Sequence, residues 1–271
     1  MFLDGKLVRS ELLKDLKKQY ENLSCGLVVI QVGDDFASNQ YIHQKEKLAN
    51  ELGVSFRHVK LDTATTDSLC EVIDSYNEDS SIHGIIVQLP LPKEIDYEVI
   101  RNRISYQKDI DGVNDINVAR VATGNPDALI PCTALGIMKL LDYYKIPLEG
   151  MDVTIIGRSI HIGKALSNLL LSRNCTVTIC HSKTKDLKKY TKNSDIVITS
   201  VGKANFLTQD MVRDDVVLID VGFNYLDGKI CGDVSRDLTK YQYLTPVPGG
   251  VGQMTVYAIY ENLLKSVSFY K

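Results

Sequence analysis

The sequence lacks several features that would indicate particular classes of protein. It has no tryptophan, an absence from which nothing follows. No apolar run is longer than a strand, so no membrane-spanning helix is expected. The 31 basic and 34 acidic residues give a formal charge of −3, and neither sign forms a long run. We therefore expect small-molecule partners, and neither nucleic acid nor a membrane.

The six cysteines form no CxxC pair and no metal-ligand spacing, so no metal is expected. Most of them lie in apolar segments and are typical of the core of a reduced protein. No secretory signal opens the chain, and we expect a cytoplasmic location. Only Cys132, in Pro131-Cys132-Thr133, lies at an element boundary where it can face a cleft.

The length of 271 residues and the hydrophobic content of 44% allow one large α/β domain or two modest ones. Apolar periodicity predicts a first helix over residues 8–23 and a final helix over 255–267. A buried strand is predicted over 26–32, with Ser38 capping the helix that follows. Strands and helices alternate along the rest of the chain, which indicates a parallel sheet.

Residues 152–182 predict a βαβ unit, because two β-branched runs flank a glycine turn and an apolar-periodic helix. The glycine pattern differs from G-x-G-x-x-G, since it has Gly157, Ser159 and Gly163. Gly157 allows a tight turn and Gly163 a close approach of the helix. The helix N-terminus is then a seat for phosphate. A plain structural crossover remains the alternative.

The end of the second strand of this unit indicates which dinucleotide is preferred. An NAD site usually has Asp or Glu about 20 residues after the glycines, to bind the ribose 2′-hydroxyl. This chain has Cys180, His181, Ser182 and Lys183 there, and Arg158 lies within the glycine turn. A guanidinium can pair with a 2′-phosphate, so the sequence favours NADP.

The first half of the chain carries candidate catalytic residues. Tyr41 and Lys45 lie four residues apart on one helix face, after a strand end where α/β proteins bind ligands. Gln88 ends another apolar strand, before a proline-rich turn. Taken alone, the Tyr–Lys pair is more typical of an exposed surface. Residues 108–112, which include Asp109 and Asp111, are by themselves typical of a solvated turn.

Taken together, six motifs resemble one family, in order over essentially the whole chain. They are Tyr41-x-x-x-Lys45, Val87-Gln88-Leu89-Pro90-Leu91-Pro92, Lys108-Asp109-x-Asp111-Gly112, Pro131-Cys132-Thr133, Gly157-Arg158-Ser159 and Pro246-Val247-Pro248-Gly249-Gly250-Val251-Gly252. This set is similar to bifunctional methylenetetrahydrofolate dehydrogenase/methenyltetrahydrofolate cyclohydrolase. Each motif alone is weak, and their combination is specific.

The resemblance implies two α/β domains with an interdomain cleft, the second a Rossmann-like parallel sheet, in a homodimer. Residues 1–128 with 253–271 would form the folate-binding catalytic domain, and 129–252 the NADP-binding domain. The implied activity is oxidation of 5,10-methylenetetrahydrofolate with NADP, followed by hydrolysis to 10-formyltetrahydrofolate.

The resemblance also assigns roles to individual residues. Lys45 and Tyr41 would serve the cyclohydrolase, with Gln88 beside Lys45 and Asp111 holding the pterin. Further folate contacts would come from Val87, Leu89, Pro248, Gly249, Gly250, Val251 and Gly252. NADP would contact Gly157, Arg158, Ser159, Gly163, Ser182, Phe223 and Cys132.

The chain departs from the family at three positions where proline is usual, namely Ala134, Ala165 and Gln253. We expect the helix at Ala134 to persist, because proline there would only preset φ in a first turn. Gln253, which adjoins the folate loop, is expected to alter substrate contacts. None of the polar residues assigned to the chemistry is lost.

Two other functions remain open from the residues. One is an NADP-dependent dehydrogenase of another small acid, in which Lys45 polarises a carbonyl. The glycine-rich loop 246–252 and the proline-rich turn after Gln88 argue against it. The other is a non-catalytic NADP-binding regulator, which would not be expected to keep Lys45 and Asp111.

Overall fold

The computed structural model describes residues 1–270 and shows an α/β protein. The helices are α1 (Gly5–Tyr20), α2 (Phe36–Leu52), α3 (Thr66–Glu78), α4 (Tyr97–Arg103), α5 (Asp115–Ala122), α6 (Cys132–Tyr143), α7 (Ala165–Leu171), α8 (Leu187–Thr191) and α9 (Val251–Ser268). The strands are β1 (Gly26–Val32), β2 (Ser55–Leu61), β3 (Gly84–Val87), β4 (Asp152–Ile156), β5 (Thr176–Cys180), β6 (Ile196–Thr199), β7 (Val217–Asp220), β8 (Asn224–Leu226), β9 (Lys229–Cys231) and β10 (Tyr243–Leu244).

The chain divides into two compact units. The first contains Met1–Leu12 and Thr133–Ala258, and the second contains Leu13–Cys132 and Ile259–Lys271. The chain passes from one unit to the other at three points. One lies at residues 132–133, and the other two lie within helices α1 and α9. The predicted domain limits, 1–128 with 253–271 and 129–252, concern ligand binding and stay a prediction. Residue 271 lies outside the described residues.

The second unit is built on a three-stranded parallel sheet in the order β2-β1-β3. Its central strand β1 is buried throughout, as expected of a parallel strand covered on both faces. The core includes Val28, Ile30, Leu69 and Ile85. Because β1 and β3 are neighbours, the residues that follow them lie at one edge of the sheet.

The first unit contains a five-stranded parallel sheet in the order β10-β7-β6-β4-β5. After β4 the chain places β5 on one side and then β6 on the other, so the strand order reverses at β4. In such sheets this reversal opens a crevice at the carboxyl ends of the strands. The predicted α/β class is confirmed, with two domains of which one contains this five-stranded, Rossmann-like parallel sheet.

The starts of α1 and α9 and the capping residue of α2 differ from the prediction, and local hydrogen bonds explain the differences at α1 and α2. Helix α1 begins three residues early, since the Asp4 carboxylate accepts from the backbone N–H groups of Lys6 and Leu7. Asp35, not Ser38, caps α2, and the Ser38 N–H donates to it. Helix α9 begins at Val251, four residues before the predicted start.

The helix of the predicted βαβ unit has an irregular first turn. Residues Ile160–Lys164 form a π-helical turn, in which the Lys164 N–H donates to the Ser159 carbonyl, and α7 then begins at Ala165. Helix α6 retains a regular start with Ala134 in its first turn. The helices at Ala134 and Ala165 therefore form without the proline of the family pattern.

Lys108 has a structural role that its place in a polar loop does not indicate. Its side chain is buried, and Nζ donates to the carbonyls of Tyr76, Asn77 and Asp79 at 3.0, 2.7 and 2.9 Å. These carbonyls lie at the C-terminal end of α3, where helical partners are missing. The ammonium thus caps this helix.

Replacement of Lys108 by methionine is expected to lower the free energy of unfolding by about 2–4 kcal/mol, because three partly buried carbonyls lose a charged donor. Urea unfolding followed by circular dichroism measures this change. Lys93→Met, at an exposed lysine of the same unit, is the control. Equal urea midpoints for the two variants would refute the capping role.

Candidate active site

The first group of candidate residues surrounds Lys45. Tyr41 and Lys45 lie on α2, which follows β1, and Gln88 follows β3. Since β1 and β3 are adjacent and parallel, their carboxyl ends meet. Lys45 Nζ donates to Gln88 Oε1 at 2.8 Å, and Gln88 Nε2 donates to the Leu89 carbonyl at 2.8 Å. The predicted pairing of Lys45 with Gln88 is therefore observed.

The environment of Lys45 favours its neutral amine. The residue is 7% exposed, and burial lowers the pKa of the amine below its usual range. The nearby Asp111 and Cys132 oppose this shift in part. The Tyr260 hydroxyl donates to the Lys45 carbonyl, and the Tyr20 hydroxyl donates to the Tyr260 carbonyl. The helix turn that carries Lys45 is thus fixed.

Asp111 lies in a loop that is held from within by Asp109. The Asp109 carboxylate is fully buried and accepts from the N–H of Gly112, the N–H of Asn114 and Nδ2 of Asn117, at 3.1, 2.7 and 2.9 Å. Burial raises the pKa of Asp109 to about 7, against these hydrogen bonds. Asp111 is half-buried and acts on the Lys45 amine electrostatically.

Cys132 lies close enough to this group to interact with it electrostatically. Burial raises its pKa well above the usual value, and Asp111 and Lys45 also act on the thiol. The Sγ atom donates to the Ile110 carbonyl at 3.0 Å, and Asn262 Nδ2 donates to the same carbonyl at 2.9 Å. These contacts place Cys132 with Lys45 and Asp111, and its predicted contact with the cofactor stays a prediction.

The second group of candidate residues lies at the crevice beside β4. Gly157 has φ +139°, and a Cβ there would lie 2.8 Å from the Ser200 carbonyl oxygen. A Cβ on Gly163 would lie 2.1 Å from the Gly157 carbonyl oxygen. Glycine is therefore required at both positions, and Arg158 and Ser159 between them are exposed to solvent at the place where a βαβ unit binds phosphate.

The turn after β5 contains Ser182, for which a contact with NADP stays a prediction. His181 and Thr184 close the turn by reciprocal hydrogen bonds, and Ser182 and Arg158 are exposed to solvent. No carboxylate occurs over residues 180–185. Asp186 caps α8 by accepting from the Lys189 N–H. The turn therefore fits a 2′-phosphate better than a 2′-hydroxyl.

The predicted folate loop is held by the start of α1. The Lys6 N–H donates to the Gly249 carbonyl at 3.2 Å, and a Cβ on Gly5 would lie 2.1 Å from the Gly250 carbonyl oxygen. Val251 and Gly252 already belong to α9. Gln253 Oε1 accepts from Arg9 Nη1 at 3.1 Å, so this departure from proline adds a contact to α1.

Two family descriptions match the sequence. "Tetrahydrofolate dehydrogenase/cyclohydrolase, catalytic domain" matches residues 3–111, and the "NAD(P)-binding domain" of the same family matches residues 131–271. Together they span almost the whole chain. This chain belongs to the tetrahydrofolate dehydrogenase/cyclohydrolase family.

Curated members of this family are similar to the chain over nearly its full length. "Bifunctional protein FolD" of Bacillus velezensis is 43% identical over 97% of this chain and 96% of the relative. The protein of the same name from Campylobacter jejuni is 44% identical over 97% of each chain. The predicted family is therefore confirmed.

Solved structures agree with this result. The bifunctional FolD methylenetetrahydrofolate dehydrogenase/cyclohydrolase of Campylobacter jejuni has a TM-score of 0.96 at 41% identity, covering 100% of this chain and 99% of that one. The Trypanosoma brucei enzyme, solved with NADP and an inhibitor, has a TM-score of 0.93 at 29% identity, covering 100% and 98%. A shikimate dehydrogenase of Thermus thermophilus shares the fold alone, with a TM-score of 0.54 at 11% identity over 90% of this chain and 100% of that one.

Several residues that organise this family member escaped the sequence analysis. Asp109 was noted only as part of a loop, and Tyr260, Asn262 and Asp233 were not considered. Asp109 belongs to the motif Lys108-Asp109-x-Asp111-Gly112, and its place in that motif was an available signal. Tyr260 and Asn262 lie on the final helix, far from their partners in sequence, and periodicity identifies only their burial.

Residues 1–270, which the structure describes, were also compared with the requirements of a metal site and of a membrane-spanning helix. It contains no group of three or more His, Cys, Asp or Glu side chains that could hold a metal ion. Within the same residues, no helix has the length and apolarity that crossing a membrane requires.

Proposed function

We propose that this chain oxidises 5,10-methylenetetrahydrofolate to 5,10-methenyltetrahydrofolate with NADP and hydrolyses the product to 10-formyltetrahydrofolate. The observation that carries this proposal is the buried Lys45 amine, held at 2.8 Å by the neutral amide of Gln88. An ordinary surface lysine would be charged at neutral pH and unable to accept a proton. The solved Campylobacter jejuni enzyme bears the names of the same pair of activities, methylenetetrahydrofolate dehydrogenase and cyclohydrolase.

In the dehydrogenase step the protein acts by positioning. NADP, when bound, supplies the hydride acceptor. The methylene carbon lies between two nitrogens, and a nitrogen lone pair drives the hydride out, so no general base is required. Lys45, Tyr41 and Asp111 hold the folate so that the carbon is presented in a reactive geometry.

In the cyclohydrolase step the protein also moves protons. Water attacks the methenyl carbon and loses a proton, and the ring opens when a ring nitrogen gains one. The Lys45 amine takes up the first proton and supplies the second, with Gln88 fixing its orientation and the Tyr41 hydroxyl bridging amine and substrate. A cationic substrate further favours the neutral amine.

Binding residues follow from the same proposal. Asp111 accepts hydrogen bonds from the pterin. The folate-binding site is lined by Val87, Gln88, Leu89, Pro248, Gly249, Gly250, Val251 and Gly252. NADP contacts Gly157, Arg158, Ser159, Gly163, Ser182 and Phe223, with the crevice beside β4 as the phosphate seat. The cleft predicted between the domains stays a prediction.

An absorbance assay of the purified protein tests this function. We expect 5,10-methylenetetrahydrofolate to be oxidised with a clear preference for NADP over NAD, because no carboxylate receives a ribose 2′-hydroxyl after β5. Methenyl substrate supplied alone should be hydrolysed without any cofactor. Turnover of another small acid in place of the folate would favour the alternative dehydrogenase, and binding of NADP without turnover would favour a regulator.

We also propose a homodimer formed through the first unit. Strand β5 is an edge of the five-stranded sheet, and Ile179 on it is 37% exposed. A sheet edge of five residues with an exposed apolar side chain is a surface for pairing with a second copy.

Sedimentation at micromolar concentration is expected to give the mass of a dimer, and Ile179→Glu to shift the protein toward monomer. Leu171→Glu, at an exposed leucine of the same unit, is the control and should remain dimeric. A monomeric wild-type protein at these concentrations would contradict the dimer, and a dimeric Ile179→Glu variant would exclude β5 as its contact.

We propose a cytoplasmic location because, among the residues that the structure describes, none of the cysteines forms a disulfide bond. Cys25, Cys70, Cys132, Cys175, Cys180 and Cys231 are all free thiols in the structure. Free cysteines persist in reducing compartments.

A further inference from the structure

Residues 200–203, which follow β6, form the wall of the crevice opposite the glycine turn. The Ser200 N–H donates to the Ile156 carbonyl at 2.9 Å, and the Ser200 carbonyl faces the position that a Cβ on Gly157 would occupy. In the proposed function, the glycine turn after β4 binds the pyrophosphate and the β5 side binds the 2′-phosphate. The segment on the β6 side therefore faces the nicotinamide half of the cofactor.

This wall is held by one carboxylate from a distant part of the sequence. The N–H groups of Val201, Gly202 and Lys203 donate to Asp233 at 2.7, 3.3 and 2.9 Å. The Thr199 hydroxyl donates to the same carboxylate at 3.2 Å. Three consecutive backbone donors around an anion form a rigid nest, and hydrogen bonds to a charged acceptor are strong.

Asp233 also links the wall to the segment after β7. Asn224 Nδ2 donates to Asp233 Oδ1 at 3.0 Å, and Asn224 follows Phe223, which is 40% exposed. One carboxylate thus fixes both the segment after β6 and the residue beside Phe223. Asp233 itself is fully buried and faces its donors, so it does not touch a ligand in the crevice.

A second carboxylate, Asp220, fixes Asp233. The N–H groups of Asp233 and Val234 donate to Asp220, each at 2.9 Å. Gly222 and Gly232 make room for the pair, because a Cβ on them would lie 2.3 Å from Asp233 Oδ1 and 1.8 Å from Asp220 Oδ2. The pair is therefore a built feature of the fold.

We propose that Asp233 is a positioning residue for the nicotinamide half of the cofactor. By holding residues 200–203 and Asn224, it sets the affinity for NADP and the rate of hydride transfer, and it takes no part in the cyclohydrolase. This inference rests on the proposed function, which places NADP in this crevice. The two activities of one protein then provide an internal control.

The test compares Asp233→Asn, Asn224→Ala and the control Asp142→Asn, at an exposed aspartate of the same unit. Binding of NADPH is measured by its fluorescence, together with KM for NADP and the cofactor-free hydrolysis of methenyl substrate. Asp233→Asn places an amide NH₂ against backbone donors, so the Kd for NADPH should rise about 10- to 100-fold. Asn224→Ala removes one donor and should raise it about 3- to 10-fold.

KM for NADP should rise in parallel with Kd in Asp233→Asn and Asn224→Ala. The cyclohydrolase kcat of these two variants should stay within about twofold of wild type, since neither Asp233 nor Asn224 touches the folate. All values for the control Asp142→Asn should stay within the same range. Unchanged NADPH affinity in the variants that fold would overturn the proposal. So would a parallel fall of both activities, which a merely structural role predicts. If Asp233→Asn does not fold, Asn224→Ala decides by the same criteria. A wild-type protein that fails to bind NADPH would instead refute the proposed function.

Discussion

Replacing Lys45 by methionine is expected to reduce the cyclohydrolase by roughly 10²–10⁴-fold, the usual worth of a positioned acid–base group. Methionine keeps the length and apolar stem of the buried side chain and removes the amine that donates to Gln88. Dehydrogenase activity should persist at a reduced level, because hydride transfer needs no base and the amine serves there only to orient the folate. Rates with methylene and methenyl substrates are measured separately.

Two further variants sharpen this experiment. Lys45→Arg should not restore the cyclohydrolase, since a guanidinium stays protonated and cannot act as a base. Lys47→Met, at an exposed lysine on the same helix, should leave both activities near wild type. Loss of the dehydrogenase with retention of the cyclohydrolase in Lys45→Met would show that the role assigned to Lys45 is wrong.

The pH dependence of the wild-type cyclohydrolase provides an independent check on Lys45. Burial lowers the pKa of this amine, so the neutral base is available at lower pH than for an ordinary lysine. Activity should fall as the pH decreases and the amine becomes protonated. This acidic limb should be absent from the residual activity of Lys45→Met. An identical limb in that variant would assign the titration to another group.

Replacing Arg158 by alanine is expected to weaken NADP binding by on the order of 1.5–3 kcal/mol, because a charge-assisted contact to the 2′-phosphate is lost. This corresponds to a rise in Kd of about 10- to 150-fold. Arg158 is exposed within the glycine turn, so its removal should leave the fold unchanged. Calorimetric titration with NADP and with NAD separates the phosphate contact from general binding.

The affinity for NAD should be nearly unchanged in Arg158→Ala, since NAD lacks the 2′-phosphate. Arg173→Ala, which removes an exposed arginine paired with Asp142 in the same unit, is the matched control and should bind both dinucleotides as the wild type does. Equal losses for NADP and NAD would mean that Arg158 binds a part common to both cofactors.

Features encoded by neighbouring residues were predictable from the sequence. The buried strands β1 and β4 follow from β-branched apolar runs, and the glycine turn at Gly157 from its position between a strand and a helix. The family followed from motifs whose order along the chain is itself information. Exact helix ends were less predictable, because single side chains such as Asp4 and Asp35 decide them.

The sequence by itself determined the α/β class, most strands of the two sheets and the identity of Lys45, Gln88 and Asp111 as candidates, whereas the two-residue strand β10 was not predicted. The resemblance placed Gln88 beside Lys45, 43 positions away, and the tertiary structure supplied the burial of the amine and its 2.8 Å hydrogen bond to Gln88 Oε1. The tertiary structure alone showed that Asp233 holds Lys203, 30 positions away. The physical reason is that periodicity reports which face of an element is buried, whereas the partner of a buried polar group depends on strand order and on chain segments brought together by folding.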